Sequence, residues 1–344
     1  MSTTGERPLV RPGFRTASFV VFVLLLPLVA HSIWDYVEAR RLSARLDAIV
    51  RQGQPISGAS NVPLPPSPKG VADADRFYRA AAALAGGSGL SDTQPFAYRM
   101  NAAMRSGDVP PELGDGLRAR VEEYREALSF ADRAAALPFE RFGAGYTFNY
   151  LTSSLIAVSR LCEMRAFERA LAGDGDGALA SLYTDVRLGR VIELSVPYFR
   201  PPLLAGLKLA LDRTTPSSAA REQLGTALAE MDHDDFLERD FVRQRALTID
   251  SRGMTGMPWI PRPWMAHRLT YDLEVFAVLI SAAEQPEPGR VNAVLSVGDW
   301  PVPAFFSERR KTMLEPYVKG LVASAERIRC ARRLLAGEMV NCQP

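Results

Sequence analysis

Residues 16–34 carry no formal charge if His31 is neutral, and no other stretch restricts the possible fold so strongly. Nineteen helical residues at about 1.5 Å rise reach roughly 28 Å, close to the thickness of a bilayer's hydrocarbon core. The densest part, residues 19–30, is Phe, Val, Leu and Ala broken only by Pro27. Trp34 and Tyr36 then stand where an interfacial aromatic belt belongs, with Arg40 and Arg41 just beyond. The expectation is a transmembrane anchor helix with its extension over residues 16–52. Ile33, Val37, Leu42, Leu46, Ile49 and Val50 carry the helical period onward until Gly53 stops it.

A cleaved signal peptide is the rival reading. It would use Arg7, Arg11 and Arg15, the apolar run, and Ala30-His31-Ser32 as a small-x-small site. Periodicity that runs on past that site argues for an uncleaved anchor. Lys and Arg are nearly balanced on the two flanks, but a long following domain translocates with little regard to charge. The expected topology is therefore single-pass in a bacterial inner membrane, with a cytoplasmic tail (1–15) and a periplasmic or otherwise extracytoplasmic body.

After the anchor, residues 53–70 read as a linker, stiffened by Pro63, Pro65, Pro66 and Pro68. Residues 71–344 read as a helical body, with a candidate subdivision near 215. Helix signals cover 94–106, a long element over 108–137, an amphipathic helix over 146–172, and 176–196. They continue over 203–213, 217–231, 234–251, 263–283 and 307–336. No stretch alternates apolar and polar residues long enough for a sheet. The fold class is all-α: an N-terminal transmembrane helix followed by an irregular multi-helix bundle or solenoid-like stack. The Gly/Asp turn at 173–177 joins two helices into one tetratricopeptide-like hairpin, without the repeated period that a true array shows.

The chain resembles a class of bacterial membrane-anchored, all-helical envelope proteins. The resemblance rests on Gly53-Gln-Pro55 and the Pro-rich linker, then Arg169-Ala-Leu-Ala-Gly-Asp174, Arg187-Leu-Gly-Arg190 and Pro201-Pro-Leu-Leu-Ala-Gly206. Together these cover about a third of the chain. It implies a bacterial origin and an envelope location, and brings no catalytic residues with it.

The chemistry-bearing residues name no reaction. A net charge of +2 leaves no field for nucleic acid. No nucleophile elbow, zinc-type His-Glu-x-x-His, phosphate loop or dinucleotide fingerprint is present, and no metal or cofactor is expected. Met231-Asp-His-Asp-Asp235 has ligand types suited to a divalent cation, yet lies between two helices, where Asp serves as a cap. Gly173-Asp-Gly-Asp-Gly177 reads as a turn rather than a calcium loop, since it lacks the closing Glu. Glu122, Glu123, Glu126, Glu163, Glu168 and Glu238 read mostly as solvated faces with Arg neighbours such as Arg125 and Arg165.

Two apolar, Pro-rich segments are the candidate binding elements. One, residues 253–264, carries Trp259 and Trp264; the other, residues 297–306, carries Trp300, Phe305 and Phe306. Large aromatics on rigid loops suit a partner or a bilayer interface, and equally suit plugging gaps between helix ends. Cys162 reads as a small buried apolar residue. Cys330 and Cys342 are a possible disulfide pair if Gly337 turns the tail back, or else two free thiols; the residues leave both open.

The function expected is non-enzymatic: a membrane-tethered interaction or scaffold protein of the bacterial envelope. It would be held by residues 16–34 and partnered by another envelope protein. One alternative is a module binding an apolar or lipid-like ligand. The other is a hydrolase with a carboxylate pair.

Overall fold

A computed structural model describes residues 14–54, 56, 74–86, 89–106, 108–137, 148–193, 203–232, 235–254, 262–286, 289–296, 304–338 and 342. Among them the chain forms thirteen α-helices and no strand, so the fold is all-α. The expected linker lies almost wholly outside the described residues. In chain order the helices are α1 (Phe14–Arg51), α2 (Ala74–Ala85), α3 (Gly89–Ser106), α4 (Pro111–Glu123) and α5 (Arg125–Ala135). They continue as α6 (Phe148–Leu171), α7 (Gly175–Glu193), α8 (Leu204–Arg213), α9 (Ser218–Ala229) and α10 (Phe236–Met254). Last come α11 (Arg262–Ala283), α12 (Gly289–Ser296) and α13 (Ala304–Leu335).

The chain divides into two compact units: residues 1–62 with 238–297, and residues 63–237 with 298–344. The first is built on the second half of α1. There Leu42, Leu46 and Ile49 meet Leu269 and Leu273 of α11 and Ile249 of α10. Arg45 Nη2 reaches Glu274 Oε1 at 3.0 Å, and Glu38 Oε2 lies 3.3 Å from His267 Nδ1. Gly53 ends α1 at φ +66°, a backbone only glycine adopts freely, with its N–H donating to the Val50 carbonyl at 2.9 Å. Gln54 Oε1 then accepts from Arg245 Nη2 at 2.8 Å. The second half of α1 thus pairs with helices some two hundred residues away.

The second unit is organised around the α6–α7 hairpin. α8 packs on both of its helices; α2, α3 and α4 pack on α6; α5 and α9 pack on α7. Leu155, Val158, Leu161, Phe167, Leu179 and Leu182 fill the centre with almost no exposure. Covered from every side, α6 is not the amphipathic surface helix that its sequence suggests. Residues 151–171 are buried or nearly so at every position but Ser153. A helix enclosed in this way brings its polar residues into the core along with its apolar ones.

Three other expectations need correction. The element expected over 108–137 is two helices, because Tyr124 leaves helical geometry (φ −102°, ψ 19°) and redirects the chain. α4 packs on α3 and α6 while α5 packs on α2 and α7, and a straight helix does not serve both sets. α3 starts five residues before the expected position 94, so that Pro95 lies inside it and Thr93 in its second turn is fully buried. α12 was not expected at all.

The hairpin turn needs glycine for two different reasons. Gly173 sits at φ +82° and closes α6. Gly175 is in ordinary backbone, but a Cβ there would lie 2.9 Å from Thr214 Cβ and 3.1 Å from Pro216 Cγ. Thr214 is itself held by its hydroxyl donating to the Ala210 carbonyl at 2.6 Å. Gly175→Ala is therefore expected to cost about 2 kcal/mol, as overpacking of an unyielding neighbour does. Urea unfolding would measure it, with Gly225→Ala, inside α9 with nothing within 4 Å, as a control expected to gain up to about 1 kcal/mol.

Candidate functional site

Two features stand out: the outward face of α1 and a polar centre buried in the α6–α7 hairpin.

Along the first half of α1 the described apolar side chains point into open space. Phe19 is 67% exposed, and Phe22, Leu25, Leu26, Leu28, Val29, Ile33 and Tyr36 form one continuous exposed series with it. Leu28, Val29, Ser32, Ile33 and Tyr36 line a shallow hollow on this surface. The Ser32 hydroxyl donates to the Leu28 carbonyl at 2.9 Å, so this polar group is satisfied within the helix. Arg40 lies 5.2 Å from the centre of the Tyr36 ring. An apolar series of this length is far larger than the scattered exposed residues of a water-soluble surface. Among the described residues no helix is long and apolar enough to cross a membrane. The side chains at 14–18, 20, 21 and 24 fall outside that set.

In the hairpin, Ser159 of α6 donates to Asp185 Oδ1 of α7, and both residues are completely buried. Asp185 Oδ2 has no hydrogen-bond partner. Burial pushes the Asp185 carboxyl up to about 8, against the downward pull of the Ser159 hydrogen bond. Glu163, one turn from Ser159, is 2% exposed, and burial first and the Asp185 charge second hold it well above the usual carboxylate range. Cys162 between them is wholly enclosed, and burial raises its thiol. A thiol so placed is inert.

Beside this pair lies a satisfied ionic network. The Arg165 guanidinium grips Asp132 of α5 with two bonds, Nη1–Oδ2 at 2.8 Å and Nη2–Oδ1 at 2.6 Å. Its Nε donates to Ser181 Oγ at 3.0 Å, and the Thr184 hydroxyl donates to Asp132 Oδ1 at 2.8 Å. Arg165 thus bonds across three helices rather than to a neighbouring Glu on its own helix.

Raised carboxylates are what acid–base catalysis uses. Glu163 and Asp185 have that property but are enclosed by packed side chains, so a substrate meets neither. In the sequence Glu163 reads as one more solvated carboxylate, and Ser159 and Asp185 belong to no motif. The available signal was that Glu163 sits amid Leu161, Cys162, Met164, Ala166 and Phe167, with apolar residues on every helical face. Of the other carboxylates, Glu122 pairs with Arg125 at 3.3 Å and Glu123 with Arg120 at 2.7 Å, both on exposed surface.

The remaining candidates resolve individually. Trp264 is in the first turn of α11, not in a loop, and Arg268 lies 5.7 Å from its ring. Pro263 beside it does not prevent a helix, because first-turn N–H groups have no intrahelical acceptor. Phe305 and Phe306 likewise belong to the first turn of α13 rather than to a loop. Trp259, Trp300 and His233 lie outside the described residues. Asp232 pairs with Arg332 and, at 3.3 Å, with Arg329, tying the end of α9 to α13. Asp174 Oδ1 accepts from the Gly177 N–H at 2.9 Å and Asp176 Oδ1 from the Ser217 N–H at 2.6 Å. Both carboxylates of the turn therefore serve as backbone caps. Among the described residues no group of three or more His, Cys, Asp and Glu is assembled for a metal. Cys330 and Cys342 are joined as a disulfide, with Cα atoms 6.1 Å apart.

No family model, no curated protein and no solved structure matches this chain.

Proposed function

We propose that this protein is a membrane-tethered helical interaction or scaffold protein of the bacterial envelope. Residues 16–34 anchor it in the inner membrane, and the helical body lies on the extracytoplasmic side. The observation that carries the reading is the continuous exposed apolar face of α1 from Phe19 to Tyr36. Water penalises such a surface by about 25 cal/mol per Å², whereas lipid tails solvate it. At 38 residues α1 reaches about 57 Å, well beyond a hydrocarbon core of about 30 Å. The excess length is the half that packs on α11, so one helix serves lipid at one end and protein at the other.

The Cys330–Cys342 disulfide supports the extracytoplasmic side, because such bonds persist in oxidising compartments. A helical body tethered to the bilayer offers its surface to another envelope protein, the partner class this reading names.

Carbonate washing of membranes tests the anchor: full-length protein is expected to stay in the pellet, and release of a shortened form would overturn the reading. Native mass spectrometry of the gently extracted full-length chain tests the scaffold role. A co-purifying protein is the expected result, and a bare monomer counts against it.

A further inference from the structure

The polar side-chain contacts between α1 and α11 define both the direction and the register of the two helices. Glu38 meets His267, and seven residues further along each helix Arg45 meets Glu274, the same offset of 229 residues in both pairs. The helices therefore run parallel over about 10 Å at least. In a parallel pair, the N-terminal turn of α11 lies toward the apolar end of α1. Carrying the register back, Trp264 stands level with Asp35, next to Trp34 and Tyr36, and Arg262 stands level with Ile33.

At that level Trp264 is 40% exposed, an amphipathic ring with much of its surface uncovered at the first turn of a helix. Arg268 lies over its ring, Arg262 is exposed, and Arg40 lies over Tyr36. Arg40, Arg41, Arg262 and Arg268 outnumber Asp35 and Glu38 here, and Glu38 is already paired with Arg41 at 3.3 Å. The surface at this level is thus aromatic and cationic, at the height where the exposed apolar series of α1 ends. Lipid headgroups match it on both counts: Trp sits at the headgroup level, and Arg meets phosphate.

We infer that the first turn of α11 is a second membrane contact, with Trp264 seated among phospholipid headgroups and Arg262 and Arg268 facing their phosphates. The inference rests on the anchor reading proposed above and adds to it that α11 is docked at the interface by its own residues. The bilayer would then hold the α1–α11 pair at two points rather than one, restricting its tilt.

Quenching in vesicles tests this. Full-length chains keeping only Trp264 (W34F/W259F/W300F) or only Trp34 (W259F/W264F/W300F) would be reconstituted into phosphatidylcholine–phosphatidylglycerol vesicles. Each would be measured with and without a headgroup-nitroxide lipid. Trp264 is expected to lose most of its emission to the nitroxide lipid, as Trp34 does, and to resist iodide added to the water. If Trp34 is quenched and Trp264 is not, the α11 contact is overturned while the anchor stands. If neither is quenched and the chain washes off in carbonate, the anchor reading falls as well. A single change, Trp264→Phe in the otherwise natural chain, checks the result without three substitutions. It must remove part of the nitroxide-quenched emission, and an unchanged quenched fraction would overturn the inference.

Discussion

Replacing Asp185 with Asn is expected to flatten a pH dependence of stability that the natural chain shows between about pH 4 and pH 8. The sign follows from where the proton sits. In the unfolded chain this carboxyl ionises near 3.8, and in the folded chain burial holds it protonated up to about 8. Across the interval the folded state binds a proton that the unfolded state has released, so stability falls as pH rises. One such proton changes the free energy of unfolding by about 1.4 kcal/mol per pH unit. The contribution is fully present below the unfolded value, is lost progressively toward 8, and levels off above it. Asn keeps the shape and a hydrogen bond to Ser159 while having nothing to titrate. Below pH 4 the two proteins should differ by less than about 1 kcal/mol, and by pH 8 the variant should be ahead by at least about 2 kcal/mol. Glu163 leaves a residual slope of the same sign, since burial raises it too. Urea unfolding of the detergent-solubilised chain at a series of pH values measures the difference. A difference that does not change with pH would show that Asp185 is not held as a buried neutral acid.

Arg165→Ala is expected to destabilise the α6–α7 unit by about 3 kcal/mol, the lower end of what breaking a buried ion pair costs. The arginine side chain is only 9% exposed and makes three hydrogen bonds to two other helices. Its removal opens a void along α6 and takes one of two partners from Ser181, whose hydroxyl still donates to the Gly177 carbonyl at 2.8 Å. The estimate is not higher because Asp132, at 45% side-chain exposure, can turn to water once its partner is gone. Arg165→Lys should recover charge but not the two-bond grip, and so should fall between the natural chain and the alanine variant. Combined with Asp132→Ala, the double variant should lose clearly less than the sum of the two single losses, because each alone already breaks the pair. Additive losses would mean that the network contributes through packing alone.

Much of this architecture was legible locally. The end of α1 at Gly53, the glycine turn between α6 and α7, and the start of α9 after Ser217 all depend on residues within a few positions of each other. Ser217 accepts from the Ala220 N–H at 3.2 Å, the cap geometry that a serine before a helix implies. Helix starts among prolines were harder to read. Pro263 and the prolines before Ala304 resemble loop punctuation, yet a first turn tolerates Pro263 and α13 begins at Ala304, so Trp264, Phe305 and Phe306 belong to helices rather than loops.

The buried acids show the limit of such reading. Glu163 and Asp185 sit in helices whose spacing allows a solvated face, and whether that face meets water depends on how many neighbours cover it. α6 is covered by α2, α3, α4, α5, α7 and α8, which come from both sides of it in the chain. The amino-acid sequence by itself determined the all-α class, most of the helices, several of their ends and the long apolar run of α1, because these follow from backbone preference and short-range periodicity. Only the tertiary structure decided that Glu163 and Asp185 are buried carboxyls rather than surface ones. It alone set α11 parallel to α1, with Arg45 against Glu274. Burial and register are made by residues a hundred or two hundred positions apart, and local sequence does not encode which distant surface will meet them.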